Sequence, residues 1–260
     1  MTDPAAPFDT ARFLDALRLR GCALGEPLHY FTRTTSTNDE ALKAAKHGAP
    51  HGAVYLTEEQ TRGRGRHGRQ WFAPAGQSLL FSLLLRPRLS PQALAPLTLT
   101  AGLAVREALS QCGDVDLSIK WPNDIEYRGQ KLGGILVQAE LSGLRPAVVV
   151  GIGINVREFE VPATLGATPT SLERCASRCL ERETLLVALL TSLDSWLRRH
   201  VAEGFGALRQ ELELRDGLLG CAVQVDSVRG VARGIDSSGQ LLVETASGVI
   251  TIQTGTVRRV

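Results

Sequence analysis

Two apolar runs set the first constraint on this chain. Residues 78–85, "SLLFSLLL", and residues 147–156, "AVVVGIGINV", carry no charged side chain. Both are far too short to cross a bilayer, which takes about 20 apolar residues as a helix. They read instead as strands, the first of them buried. A chain of 260 residues can surround such strands with one sizeable core, or one core and a small appendage. Its 43% hydrophobic and 22% charged residues are ordinary globular values. Net charge is +2, so no global field calls for nucleic acid or an anionic membrane, and any affinity for anions must be local.

Around these runs, helix and strand signals alternate. Residues 9–20, "DTARFLDALRLR", set Phe13, Leu14 and Leu17, with Leu19 as a further candidate, at helical spacing before Gly21. "LHYFTRT" reads as a strand, and "TNDE" opens a helix to about Gly48 through a capping box of Thr37 and Glu40. "GAVYLTEEQ" is a strand, and residues 90–113 give a long core helix after their prolines. "VDLSIKWPND", "IEYRGQK", "LGGILVQAEL" and "RPAVVVGIGINV" are strands, with a tight turn at Arg128 and Gly129. Residues 181–214 are helical, with Leu185, Leu186, Leu189, Leu190, Leu193 and Trp196 on a buried stripe. After "RDGLLG", residues 215–220, only short strands and frequent turns remain. They predict a small β-barrel that must lean on the main domain for its core.

No basic and apolar leader opens the chain, which predicts a cytoplasmic protein. The five cysteines, Cys22, Cys112, Cys175, Cys179 and Cys221, are scattered without a second ligand pair. They read as reduced packing thiols. His47 and His51 flank Gly-Ala-Pro and cannot form a helical ligand pair, so no protein metal site is expected.

Between two of the strands lies "TRGRGRHGRQW", residues 61–71, with four arginines and three glycines. Gly63, Gly65 and Gly68 satisfy G-x-G-x-x-G, yet a dinucleotide site needs a helix opening on the glycines, and Pro74 and Gly76 block one. A P-loop needs Lys and Ser or Thr after the second glycine, where this chain has Arg69 and Gln70. A disordered basic arm would cling to RNA through counterion release, but this loop is clamped between apolar strands and ends in Trp71 and Phe72. What remains is an ordered loop whose glycines permit close backbone approach and whose arginines fork onto a small polyanion.

Other motifs narrow the anion. The chain has four lysines against twenty-five arginines, and its three asparagines fall in "STNDE", "KWPND" and "GIGIN". "KWPND" sets a lysine, a rigid turn, an amide and a carboxylate at a strand end. Lys131 opens "KLGGIL", where Gly133 and Gly134 let something pack against the strand. Each has a bland reading: a helix cap, a turn, a surface lysine, a strand relieved of crowding. In this order, beside this loop, all of the bland readings would have to hold together.

Taken together, "TSTNDE", "EEQTRGRGRHGRQW", "IKWPNDI", "RGQKLGGILVQ" and "VVGIGINV" resemble the motifs of biotin protein ligases from about Leu28 to Val156, and the small C-terminal β-domain is similar to that family's SH3-like tail. The resemblance implies an α+β fold: a mixed β-sheet catalytic domain of the class II aminoacyl-tRNA synthetase and biotin ligase type, with a C-terminal SH3-like β-barrel. The implied division is a helical extension over 1–27, a catalytic domain over 28–215 and the β-domain over 216–260. The implied activity is that of an ATP-dependent biotin–[acetyl-CoA-carboxylase] ligase. Biotin is activated to biotinyl-5′-AMP and then transferred to a lysine of a biotin carboxyl carrier protein.

By the same resemblance, Ser36, Thr37, Asn38 and Gln60 line the biotin pocket. Arg64, Gly65 and Arg66 wrap the carboxylate and phosphates beside Gly63, and Lys131 reaches both reactants. Gly134, Gly151 and Gly153 form backbone walls. Trp71, Asn123, Asp124 and Asn155 meet the nucleotide, with Mg²⁺ held mainly through ATP phosphates. Apart from the resemblance, the carrier lysine must lose a proton in the second step, and Asp124 is the candidate helper. His67 is read as structural. The short extension predicts a ligase without a DNA-binding domain, acting as monomer or homodimer. Competing readings are a lipoate or octanoyl enzyme on the related scaffold, a non-catalytic nucleic-acid-binding protein, and a biotin sensor that no longer catalyses.

Overall fold

The structure, a computed structural model, describes residues 6–87, 94–141, 146–160, 169–178 and 180–260. Cys179 and residues 90–93 of the segment expected to carry the long helix lie outside these. Seven strands form a mixed sheet: β1 (Leu28–Phe31), β2 (Val54–Thr57), β3 (Ser78–Leu85), β4 (Ser118–Lys120), β5 (Asp124–Tyr127), β6 (Gln130–Glu140) and β7 (Ala147–Asn155). Their spatial order is β1-β2-β3-β7-β6-β5-β4. β1 and β2 run parallel; every other neighbouring pair is antiparallel.

The two apolar runs become β3 and β7, adjacent strands buried at every position. Side chains alternate along a strand, so each run serves two faces. Leu79, Phe81, Leu83 and Leu85 of β3 enter the main core with Val148, Val150, Ile152 and Ile154 of β7. Four helices contribute to that core: α1 (Thr10–Leu19), α3 (Leu97–Gly113), α5 (Arg182–Glu203) and α6 (Phe205–Glu213). A single turn, α4 (Leu172–Cys175), adds Leu172. On the opposite face Leu84, Ala147 and Val149 pack against Ala41 and Ala45 of α2 (Thr37–Lys46). Each fully buried Leu or Ile in these stripes contributes about 1.5–3 kcal/mol.

Local expectations need correction. Leu19 is 89% exposed; the buried stripe of α1 is Phe13 and Leu17. Thr37 is not the cap of α2. Ser36 takes the extended capping position, and no capping box forms, because the Glu40 carboxylate accepts the Thr34 hydroxyl at 2.7 Å. The helix expected over 181–214 is two helices, separated at Gly204, whose φ of 76° favours glycine. Cys22, Cys112 and Cys175 are free thiols whose pKa is pushed up by burial, so they are weak nucleophiles.

The C-terminal region is a five-stranded antiparallel sheet of the SH3-like kind. Its strands are β8 (Ala222–Val225), β9 (Val228–Ile235), β10 (Leu241–Thr245), β11 (Gly248–Ile252) and β12 (Val257–Arg259), in the order β11-β10-β9-β8-β12. The sequence pattern does not announce β12, which is too short to show alternation. Val223, Val225, Leu241 and Val243 belong to the same continuous core as the large sheet, so the small domain does lean on the main one. The Trp121 indole donates to the Gly239 carbonyl at 3.0 Å, and Arg259 donates to Glu126 at 2.7 Å and to the Gly217 carbonyl at 2.9 Å.

Asp216 sits at this junction. Its Oδ1 accepts the Leu218 N–H at 2.8 Å, while Oδ2 is buried without a partner among the described residues. Burial raises its pKa to about 6, against the opposing pull of backbone N–H groups and Arg259. Between roughly pH 4 and that value the folded chain holds a proton the unfolded chain has lost, so stability falls as pH rises through the window. Asp216→Asn, which keeps an acceptor for Leu218, is expected to stabilise the protein by about 1–3 kcal/mol above pH 7. Thermal unfolding across pH should show the gain fading below pH 4; a gain independent of pH would contradict the assignment.

Candidate active site

Beyond Val149, the second face of β7 loses its side chains. Gly134 of β6 and Gly153 of β7 are cross-strand partners. A Cβ at Gly153 would stand 2.7 Å from the Trp71 indole, and one at Gly134 2.9 Å from it. Hydrogen alone at both positions lets the ring settle against the sheet. Gly151 plays the same part for Asn38, whose amide oxygen would lie 2.0 Å from an added Cβ. The resemblance names these three glycines as backbone walls, and the side chains packed on them, Trp71 and Asn38, are two more of the residues it names.

The start of α2 is fixed by a chain of polar contacts. Gln60 Oε1 accepts from the Thr37 backbone N–H at 2.8 Å and from its hydroxyl at 3.2 Å. Ser82 Oγ, fully buried on β3, lies 2.8 Å from Thr37 Oγ1 and 2.6 Å from Asn38 Oδ1, and donates its proton to one of them at a time. The Asn38 amide donates to Gln138 at 2.8 Å and to the Leu136 carbonyl at 3.4 Å. Ser36 makes no capping bond and faces the cavity. Ser82 and Gln138 were not foreseen. Each is a polar residue at alternate spacing in a strand, a pattern shared with any solvent-facing position.

The arginine-glycine loop folds back on itself. The Trp71 backbone N–H donates to the Gly63 carbonyl at 2.9 Å, and that of Gly65 to the Arg69 carbonyl at 2.7 Å. Its tip is one tight turn with His67 at φ 54° and Gly68 at φ 73°. Arg64 forks onto Asp39, in the first turn of α2, at 3.1 and 2.8 Å. Arg66 donates to the Thr254 hydroxyl at 3.0 Å, and Arg69 to that of Thr256. Neither has an ion-pair partner within 4 Å among the described residues. Burial lowers the pKa of Arg66, with Asp124 opposing the shift and Arg69 adding to it.

Facing the loop, Lys131 donates to Asp124 Oδ1 at 2.6 Å and stands 5.4 Å from the centroid of the Trp71 ring. Asn123 ties the turn before β5 to β6, donating to the Ile135 carbonyl at 3.1 Å. Asn155 donates to the Thr170 carbonyl at 3.0 Å. Its Oδ1 and the Trp71 Nε1–H are buried without partners among the described residues. A buried donor or acceptor left unmade costs about 1–3 kcal/mol, and both of these atoms belong to residues on the cavity wall.

These groups enclose a cavity of about 480 Å³. Of the residues that the resemblance assigns to the site, Gly63 alone is not on its wall; it lines a neighbouring groove with Arg62 and His67. Gly133 is off the wall too, a Cβ on it meeting Ile154 at 2.6 Å. Added to the wall are Arg69, the tilted aromatic pair Phe72 and Phe159 with centroids 6.3 Å apart, and Gly255, Thr256 and Val257 of the C-terminal domain. No signal in the sequence ties that domain to the site. Asp124 is the only acidic residue on the wall among those described, and no three His, Cys, Asp or Glu residues converge there as a metal would require.

A loop of arginines over a bare strand pair shares one cavity wall with Lys131 and with Lys120, the latter 3.4 Å from Glu126, an arrangement suited to an enzyme that joins two anions. Residues 30–155 match the biotin/lipoate A/B protein ligase family, and residues 222–258 match the biotin protein ligase C-terminal domain. The chain is 37% identical over 226 residues to the biotin–[acetyl-CoA-carboxylase] ligase of Paracoccus denitrificans, covering 83% of this chain and 93% of that one. It is 33% identical over 234 residues to the bifunctional ligase/repressor BirA of Bacillus subtilis, covering 87% and 72%. The structure of the biotin protein ligase from Aquifex aeolicus in complex with biotin and ATP superposes with a TM-score of 0.79 at 29% identity, over 90% of this chain and all of the other. The chain belongs to the biotin protein ligase family.

Gly151→Ala forces the Asn38 amide off the strand and is expected to lower stability by about 1–3 kcal/mol, as overpacking does. Gly206 in α6 has nothing within 4 Å of an added Cβ, so Gly206→Ala is expected to be neutral or to gain up to ~1 kcal/mol. Denaturant unfolding compares the two. Equal stabilities for both variants would mean that Asn38 does not lie where it is described.

Proposed function

We propose that this chain joins biotin to ATP and then passes the biotinyl group to a lysine of a biotin carboxyl carrier protein, that of acetyl-CoA carboxylase being the acceptor. The observation carrying this reading is the convergence, on one cavity, of the Ser36–Asn38 and Gln60 chain, the Lys131–Asp124 pair, and Arg66 and Arg69, which have no carboxylate partner among the described residues. In the first step a carboxylate oxygen of biotin bonds to the α-phosphorus of ATP as the bond to the bridging oxygen breaks. Pyrophosphate leaves with that electron pair. Both reactants are anions, so the protein's contribution is to hold them in line and compensate charge.

In this reading Ser36, Thr37, Asn38 and Gln60 hold the polar ring of biotin over Gly151. Gly63 and Gly65 let the loop backbone close in. Arg64, braced by Asp39, stands beside the carboxylate, and Arg66 and Arg69 cover the phosphates. Lys131 reaches carboxylate and α-phosphate together, its ammonium aimed by Asp124. Trp71, Asn123 and Asn155 meet the nucleotide above Gly134 and Gly153, where the unpartnered Trp71 Nε1–H and Asn155 Oδ1 find their partners. With Asp124 engaged by Lys131, magnesium belongs to this reading as an ion carried by the ATP phosphates.

In the second step the amine nitrogen of the carrier lysine bonds to the acyl carbon, and AMP leaves with the electrons of the anhydride bond. The amine must lose its proton, and Asp124 is the group assigned to take it. A closed loop keeps water from the anhydride until the carrier arrives. We assign residues 28–215 to catalysis, 216–260 to the β-domain and 1–27 to an N-terminal helical extension. The reaction is placed in the cytoplasm, where ATP and the carrier occur, by a monomer or homodimer.

Biotin-dependent exchange of labelled pyrophosphate into ATP tests the first step, with octanoate and lipoate as controls; exchange driven equally by either control would overturn the choice of acid. Lys131→Ala is expected to lower kcat about 10²–10³-fold, as loss of a single transition-state donor does. Arg66→Gly is expected to release biotinyl-AMP and label bystander lysines in a mixed-protein assay. Clean, carrier-restricted labelling by that variant would count against loop retention.

A further inference from the structure

Two of the loop arginines are held from outside the catalytic sheet. Arg66 and Arg69 donate to Thr254 and Thr256, which flank Gly255 in the connection from β11 to β12. That connection is anchored: Gly255 has φ 154°, and a Cβ on it would meet Val225 of β8 at 2.5 Å, so the turn lies tight against its own sheet. Gly255, Thr256 and Val257 form part of the cavity wall. Threonine is β-branched and stiff about χ1, so a hydroxyl on this platform has a defined direction.

The chemistry of the tether matters as much as its place. Arg64, held by the Asp39 carboxylate, has its charge compensated. A hydroxyl accepts one guanidinium N–H and compensates no charge, leaving the remaining donors and the full positive charge for another anion. Arg66 is half-buried, and its charge is disfavoured by burial, the condition of a cation waiting for a counter-charge.

We propose that Thr254 and Thr256 are positioning residues of the ATP site, aiming Arg66 and Arg69 at the polyphosphate, so that the C-terminal domain takes part in the first half-reaction. This rests on the functional reading above. The test uses the full chain with the paired substitutions Thr254→Val/Thr256→Val, which keep the side-chain shape, and Thr254→Ser/Thr256→Ser, which keep the hydroxyls. In pyrophosphate exchange the valine pair should raise the KM for ATP about tenfold, leave the KM for biotin and the Tm near wild type, and be rescued largely by the serine pair. An unchanged or lowered KM for ATP, or equal loss in both pairs, would overturn the proposal. Calorimetric titration of ATP, with and without biotin, decides it separately. If the wild type fails to exchange pyrophosphate with biotin, the functional reading falls, whereas equal ATP affinity in wild type and the valine pair defeats this inference.

Discussion

The site exists because one face of two central strands has been stripped of side chains. On β7 the core face reads Val148, Val150, Ile152 and Ile154, while the other reads Ala147, Val149, Gly151, Gly153 and Asn155. The first two residues of that second row support α2, the next two carry nothing, and the last is an amide. The row therefore passes from packing to bare floor to polar end within one strand. Gly134 extends the bare patch sideways onto β6. A single methyl at any of the three glycines would displace Trp71 or Asn38, and through them the loop and the first turn of α2.

Charge is distributed with equal economy over that floor. Arg64 braces the loop against α2 through a forked carboxylate contact, and Lys131 is steered by Asp124. Arg66 and Arg69 are held only by neutral hydroxyls among their described hydrogen bonds. A site with every guanidinium neutralised would be stable and inert toward phosphate; one with none braced would splay into solvent. Attack of one anion on another calls for cations fixed before the reactants arrive, since reorganisation at the moment of reaction adds to the barrier.

Much of this was legible in the residues. Both apolar runs read as strands, the first of them buried, and the loop read as ordered because apolar strands clamp it. The site glycines were visible as departures from strand composition. What stayed hidden has a common cause. Ser82 and Gln138 act through contacts to α2 that strand alternation does not encode, and β12 is too short to show a period. Thr37 was misplaced as a cap because Ser-Thr-Asn offers three capping residues in a row, and Glu40 turned instead to Thr34. Gly204 interrupts a hydrophobic stripe that continues across the break, so periodicity alone joined two helices into one.

The amino end of the chain is knotted to the same machinery. Phe8 donates its backbone N–H to Glu58 at 2.8 Å, Tyr30 donates its hydroxyl to the same carboxylate, and Arg182 grips both Glu58 and the Ala6 carbonyl. Glu58 lies two residues before Gln60. On β12, Arg259 is fastened to Glu126 of β5, two residues after Asp124 in the same strand. The segment around Phe8 and the last strand thus act as guy-ropes on the connection after β2 and on β5, so cutting back either one slackens elements that carry cavity residues.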